Sequence, residues 1–179
     1  FKTVYPEDPA SPPGTFQTLY DALLAEYEFI TPSAAKEEEV ALIHTDSHID
    51  YVKSLGATYE IALLAVGGAI MSAELAWKGD PAFALITPPG HHASRDSCWG
   101  FCYFNNIAIA VKRLLVKEKI KKAQIIDIDL HYGDGTVDAF IDRNDVAYYH
   151  LQRKDSIKQL EDYLASKENY DILAVSAGF

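Results

Sequence analysis

Cysteine, methionine and positive charge are the scarce components of this chain. Two cysteines in 179 residues cannot make a disulfide framework, so Cys98 and Cys102 read as reduced thiols, and a cytoplasmic setting is expected. Sixteen Lys and Arg stand against 26 Asp and Glu, a net charge of -10. That balance argues against a direct nucleic-acid or anionic-membrane surface and leaves cationic ligands open. No apolar run approaches the length expected of a bilayer span, and the first residues have neither a basic segment nor an apolar leader core. Internal repeats and low-complexity tracts are also lacking, which leaves a single domain over residues 1–179 as the expectation.

What the sequence does have is concentrated in residues 125–136, Ile-Ile-Asp-Ile-Asp-Leu-His-Tyr-Gly-Asp-Gly-Thr. An apolar strand ending in carboxylates and an imidazole is costly unless a cation or hydrogen bonds satisfy those groups. Side chains alternate along a strand, so Asp127, Asp129 and His131 share one side if the extended conformation persists to His131. Asp129 and His131 can then face one ion, and their oxygen and nitrogen donors suit Zn as well as Fe(II), Co or Mn. Gly133 and Gly135 allow a turn that aims Asp134 back at the same place.

The remaining chain reads as alternating helices and strands. Residues 1–14 hold four prolines and predict an irregular segment. Helices follow from Thr15 as a cap through Tyr27, over 34–44, over 47–55 and over 58–77, the last with Gly67 and Gly68 calling for a close neighbour. His44 and His48, on a weakly apolar face, read as packing or surface residues. A strand over 83–87, a helix over 106–120, strands over 125–130, 146–151 and 170–176, a short helix over 137–141 and a helix over 155–166 capped by Asp155 complete the pattern. This predicts an α/β, doubly wound, mostly parallel sheet with helices on both faces. Ligands of such sheets sit at the carboxyl ends of the strands.

A second unusual stretch follows the expected strand at 83–87. His91 and His92 sit on a Pro-Pro-Gly turn. One imidazole can accept a proton and another return it, as amide hydrolysis requires when metal-bound water attacks and an amine leaves. Each needs an orienting carboxylate, and Asp127 is assigned to His91 and Asp134 to His92. Trp99, Phe101, Tyr103 and Phe104 beside Gly100 are candidates for an apolar passage, while Cys98 and Cys102 are expected to be buried thiols.

Four segments together resemble the zinc-dependent histone deacetylase superfamily. They are Pro89-Gly90-His91-His92-Ala93, Gly100 through Asn106, Asp127 through Thr136, and Val175-Ser176-Ala177-Gly178-Phe179. Ile43-His44-Thr45-Asp46 and the 57–75 stretch are similar to its N-terminal half. The resemblance implies the arginase-deacetylase fold and removal of an acyl group, usually acetyl, from acetyl-lysine, an acetylated polyamine or another acylated amine. It implies Asp129 and His131 as metal ligands, His91 and His92 as the catalytic pair with Asp127 and Asp134, and Gly100 and Phe101 in the substrate channel. A structural K ion beside Asp127, Asp129 and His131 is also implied. The short connection after His150 favours the shorter prokaryotic type, histone-deacetylase-like or acetylpolyamine amidohydrolase, and Tyr132 stands where the family commonly has His.

The family's third metal ligand follows its Ser-Ala-Gly-Phe segment, and a carbonyl-polarising Tyr comes later, whereas this sequence ends at Phe179. The expectation is the N-terminal part of a longer catalytic domain, with an acyl-amine-binding but inactive module as the alternative. The native protein is therefore expected to have an intact mass well above 19.9 kDa; a mass of 19.9 kDa would favour the binding-only alternative.

Overall fold

A computed structural model describes residues 14, 16–151, 156–165 and 169–178. The proline-rich segment, the Thr15 and Asp155 caps and Phe179 lie outside these residues. Helices α1 (Gln17–Leu24), α2 (Glu37–Val40), α3 (Asp46–Ser54), α4 (Ala57–Trp77) and α5 (Asn106–Val116) precede the first strand, β1 (Ala123–Asp127). Then come α6 (Asp134–Phe140), β2 (Val146–His150), α7 (Ser156–Leu164) and β3 (Ile172–Ser176).

The sheet is parallel in the order β2-β1-β3, with Asp127 level with His150 and Ser176. Every residue of β1 is buried, as expected of the middle strand of a covered parallel sheet. Ala123 and Ile125 face the core shared with α4 and α5, whereas Tyr149 on the other face of β2 stacks on Tyr163 of α7 at 4.0 Å. Helices thus cover both faces, and each βαβ crossover returns the chain so that the strand ends share one edge.

Two sequence expectations are corrected. Residues 83–87 form no strand: among the described residues the sheet has three strands, and this apolar run has no neighbour with which to share a ladder. It lies along α4 instead, tied by the Ser72 hydroxyl donating to the Ala82 carbonyl at 3.0 Å. The expected helix over 34–44 shrinks to the single turn of α2, opened by a Lys36 N–H donating to the Glu39 carboxylate at 2.9 Å.

Helix α4 carries a further correction. At 21 residues it is long and apolar enough, by length and composition, to cross a bilayer. One part of it is packed, with Ala62, Ala65, Val66 and Ile70 buried in the core with Ile109 and Leu114, while Leu64 and Trp77 are exposed. The close neighbour called for by Gly67 and Gly68 is present. A Cβ at Gly67 would land on the Ser33 carbonyl, and one at Gly68 would meet Ile86 Cγ2 at 2.7 Å. Arg113 of α5 then joins Glu39 of α2 at 2.6 Å and Glu74 of α4, holding three helices by one guanidinium.

His44 and His48 are packing residues, with 3% and 2% of their surfaces exposed. His44 Nδ1–H donates to the Ser94 carbonyl and its Nε2 accepts from the Asn105 N–H, both at 2.9 Å. His48 Nε2–H donates to the Tyr103 carbonyl at 2.8 Å. The two rings therefore hold both ends of the loop between Ser94 and Asn105. Burial, with a smaller contribution from the neighbouring His48, pushes His44 down to about 3, so that it stays neutral.

Two outcomes follow from this packing. Gly67→Ala is expected to destabilise the protein by about 1–3 kcal/mol in denaturant unfolding, and Gly68→Ala by less, because the Ile86 side chain can rotate away whereas the Ser33 backbone cannot. Equal losses would refute the backbone contact as the cause. For His44 the folded-state value lies below the unfolded one, so its contribution is complete above about pH 6.5 and is lost as pH falls toward 3. Acid titration of the melting temperature should be steeper for the wild type than for His44→Gln by an amount worth a few kcal/mol at most; parallel curves would contradict this.

Candidate active site

Two loops meet at the carboxyl edge of the sheet because glycine lets them. Gly90 packs its backbone against Phe104 O and Asn106 N, where a Cβ would approach to 2.6 Å, and Gly135 lies against the backbone of Ala93, at 2.5 Å from a would-be Cβ. Thr136 N–H donates to the His91 carbonyl at 3.1 Å. Asn105 caps α5 through Ala108 N–H and donates its amide to Ala93 O and Thr136 Oγ1. These contacts bring the histidine turn against the start of α6.

His91 and His92 are buried side by side, ring centres 4.0 Å apart. His91 Nδ1–H donates to Asp127 Oδ2 at 3.0 Å and His92 Nδ1–H donates to Asp134 Oδ1 at 2.6 Å, the pairing assigned from sequence. With Nδ1 committed, each ring presents Nε2 to the site. Asp127, at 0% exposure, is the last residue of β1 and also accepts Asp129 N–H and the Tyr148 hydroxyl, each at 3.0 Å. Asp134 opens α6, and its second oxygen accepts Trp99 Nε1–H at 2.8 Å.

The surroundings pull the two imidazoles apart. Burial depresses His91, but the Asp127 bond and the nearby Asp127, Asp129 and Asp134 charges outweigh it, leaving the ring above its ordinary value. Burial also depresses His92, and its bond to Asp134 does not offset that, so this ring lies below. Asp127 and Asp134 are both held below the usual carboxylate range: burial would raise them, but the donated hydrogen bonds prevail.

Asp129 and His131 arrive differently from the strand alternation. The extended conformation ends at Asp127, and His131 N–H donates back to Asp129 Oδ1 at 2.7 Å, turning the chain. The turn still places His131 Nδ1 3.3 Å and His91 Nε2 3.9 Å from Asp129 Oδ1. His131 stands at the rim, 65% of its side chain exposed. A carboxylate oxygen and an imidazole nitrogen facing each other fit two positions of a Zn or Fe(II) site. Among the described residues no group of three His, Cys, Asp or Glu side chains converges closely enough to complete one. The Asp129 carbonyl, near which the K ion was expected, accepts from His150 Nε2 at 3.0 Å.

Gly100 and Phe101 both adopt φ +59°, a left-handed pair that lays Gly100 on His92, whose Cδ2 would be 2.8 Å from a Cβ there. Trp99 stacks on the same ring at 3.8 Å. Of the four aromatic residues proposed for a passage, Trp99 and Phe101 are exposed beside the site. Phe104 is instead core, 1% exposed against His44 and His48, and Tyr103 packs against that core. A chain that alternates inward and outward here cannot line one wall with all four. Both cysteines are free; Cys102 is buried, which pushes its thiol up to about 12, and Cys98 is half-buried.

Sequence reasoning missed two partners. Trp99 was read as a wall and not as a donor to Asp134, and Tyr148 was absorbed into an apolar strand. Neither pattern carries a local signal, because each bond joins residues at least 21 positions apart.

Comparison with known proteins identifies the family and the fold. Residues 5–157 match the family model described as the histone deacetylase domain. A probable deacetylase of Methanothermobacter thermautotrophicus is 30% identical over 140 residues, 70% of this chain and 42% of that protein. The acetylpolyamine amidohydrolase of Mycoplana ramosa is 46% identical over 95 residues, 52% of this chain and 28% of its own length. A histone deacetylase-like amidohydrolase of Pseudomonas aeruginosa is 31% identical over 141 residues, 69% and 37% of the two chains. The chain thus spans less than half the length of these curated relatives. The crystal structure of the HDA15 HD domain superposes with a TM-score of 0.84 at 23% identity, covering all of this chain and 69% of the other, a likeness that establishes the arginase-deacetylase fold. By the family model and the retained sheet edge, the chain belongs to the histone deacetylase family.

Proposed function

We propose that the protein carrying this chain is a metal-dependent amidohydrolase that removes an acetyl group from an acetylated amine, either acetyl-lysine or an acetylpolyamine. The observation that carries the reading is the pair of buried histidines, each with its own carboxylate, beside Asp129 and His131. Two imidazoles side by side, one shifted below its ordinary value and one above it, suit a reaction that removes a proton from water and delivers one to a leaving amine.

His92, whose neutral form burial favours, takes the proton of the attacking water at Nε2 while Asp134 keeps Nδ1–H in place and stabilises the imidazolium that forms. His91, whose protonated form Asp127 favours, is placed to present Nε2 toward the negative charge that develops on the acyl oxygen and the departing amine. The proton gathered at His92 then passes to the amine nitrogen as the C–N bond breaks. Asp129 and His131, with a third ligand, would hold a divalent metal, which would supply Lewis acidity toward water and the acyl carbonyl. Trp99 covers one face of the His92 ring, and Phe101 is exposed beside it. The relatives' names, deacetylase and acetylpolyamine amidohydrolase, support this class of substrate.

The test is acetate release from acetyl-lysine peptides and acetylated polyamines by the complete protein. Release is expected to be abolished by metal chelation and reduced about 10²- to 10⁴-fold by His92→Ala. Activity that survives complete removal of metal would sink the reading, and affinity for acylated amines with no product would favour a binding module.

A further inference from the structure

The bonding around Asp127 assigns a role to a residue outside the two histidine–carboxylate pairs. We infer that Tyr148 is a positioning residue for His91, acting through Asp127. This rests on the hydrolase reading above and adds a part to it.

Tyr148 sits on β2 directly beside Ile125, two residues before the level of Asp127, and projects its hydroxyl along the edge of the sheet to that carboxylate. The Gly133 N–H donates to Tyr148 Oη at 2.9 Å, and Tyr148 Oη–H donates to Asp127 Oδ2 at 3.0 Å. The same Oδ2 receives His91 Nδ1–H at 3.0 Å. The directions are set by chemistry: an ionised carboxylate only accepts, and a backbone N–H only donates, so the phenol must pass its proton toward Asp127. Burial, reinforced by the Asp127 charge, pushes the phenol well above its ordinary value and keeps that proton on oxygen.

The convergence is close. A Cβ on Gly133 would lie 2.5 Å from Asp127 Oδ2, 2.7 Å from Tyr148 Oη and 3.2 Å from His91 Nδ1, so the three polar groups gather about a point that only glycine leaves open. Among the described residues, Asp127 Oδ1 is held by Asp129 N–H, and Oδ2 is held by His91 and Tyr148 together. Without the phenol hydroxyl, a fully buried carboxylate loses one of three donors and Gly133 N–H loses its acceptor. Asp127 is then free to turn about its last torsion, and His91, whose orientation depends on that oxygen, turns with it. Tyr148 lies on the Nδ1 side of His91, opposite the Nε2 that faces Asp129, so it does not itself meet the reacting atoms.

Tyr148→Phe in the complete protein removes the hydroxyl and keeps the ring. The expected result is a fall in kcat of about ten- to a hundredfold with KM changed less than about twofold, measured on protein verified as folded. In an Asp127→Asn background the same substitution should change kcat less than about twofold, because the carboxylate it acts through is gone. A second readout does not need turnover: the His91 Nδ1–H resonance, observed in histidine-labelled protein and assigned by its loss in His91→Gln, is expected to broaden or shift in Tyr148→Phe. An unchanged resonance together with unchanged kcat would overturn the inference, as would an equal effect with and without Asp127. A Tyr148→Phe protein that only melts at lower temperature, with kcat intact, would also overturn it and leave a structural tie. Should the wild type release no acetate, the hydrolase reading fails, and the resonance alone decides whether Tyr148 holds His91.

Discussion

A single buried carboxylate organises this structure. Asp127 ends the middle strand with none of its surface exposed, and a charge in that position is tolerable only if donors surround it. They come from three places: the turn that follows, the phenol of the neighbouring strand and the histidine loop, while Gly133 N–H donates in turn to the phenol. Each donor requires its segment to sit at the carboxyl edge of the sheet. Satisfying one oxygen pair therefore places β2, the start of α6 and the turn at His91 relative to one another.

The rest of the site inherits that placement. His92 lies against His91 because they are consecutive, and Asp134 reaches it because Gly135 lets α6 approach the backbone of Ala93. Trp99 then closes the outside of the pair by stacking on His92 while bonding Asp134. Behind this layer, His44 and His48 hold the Ser94–Asn105 loop through its backbone, so that the left-handed pair at Gly100 and Phe101 is backed by buried bonds. The paired histidines at the sheet edge and the packing histidines are chemically identical residues separated here by what surrounds them. His44 is held neutral at about 3 by burial, whereas His91 is raised by carboxylates.

Much of this was legible in the residues. Alternating apolar segments indicated a parallel α/β sheet: the strands at 146–150 and 172–176 are found within the expected stretches, while the central strand at 123–127 begins and ends earlier than the expected 125–130. The grouping of His91 and His92 with Asp127 and Asp134 was readable because all four lie just beyond or at strand ends or on turns, where such a sheet collects its ligands. The expected strand at 83–87 failed for a physical reason: apolar character is a local property, but a strand needs a partner, and none reaches this run among the described residues. The Asp129–His131 alternation failed for a related one, since the carboxylate of Asp129 captured the His131 N–H and bent the chain.

By itself the sequence determined the inventory: which acids and imidazoles exist, how far apart they stand along the chain, and which segments are apolar enough to be covered. Those follow from side-chain chemistry and periodicity, which are local. Only the tertiary structure decided that Tyr148 and Trp99 donate to Asp127 and Asp134, that Phe104 turns into the core while Phe101 faces outward, and that one histidine of the pair is raised and the other lowered. These depend on distances between groups remote in sequence and on the depth at which each is buried, and neither quantity exists until the chain is folded.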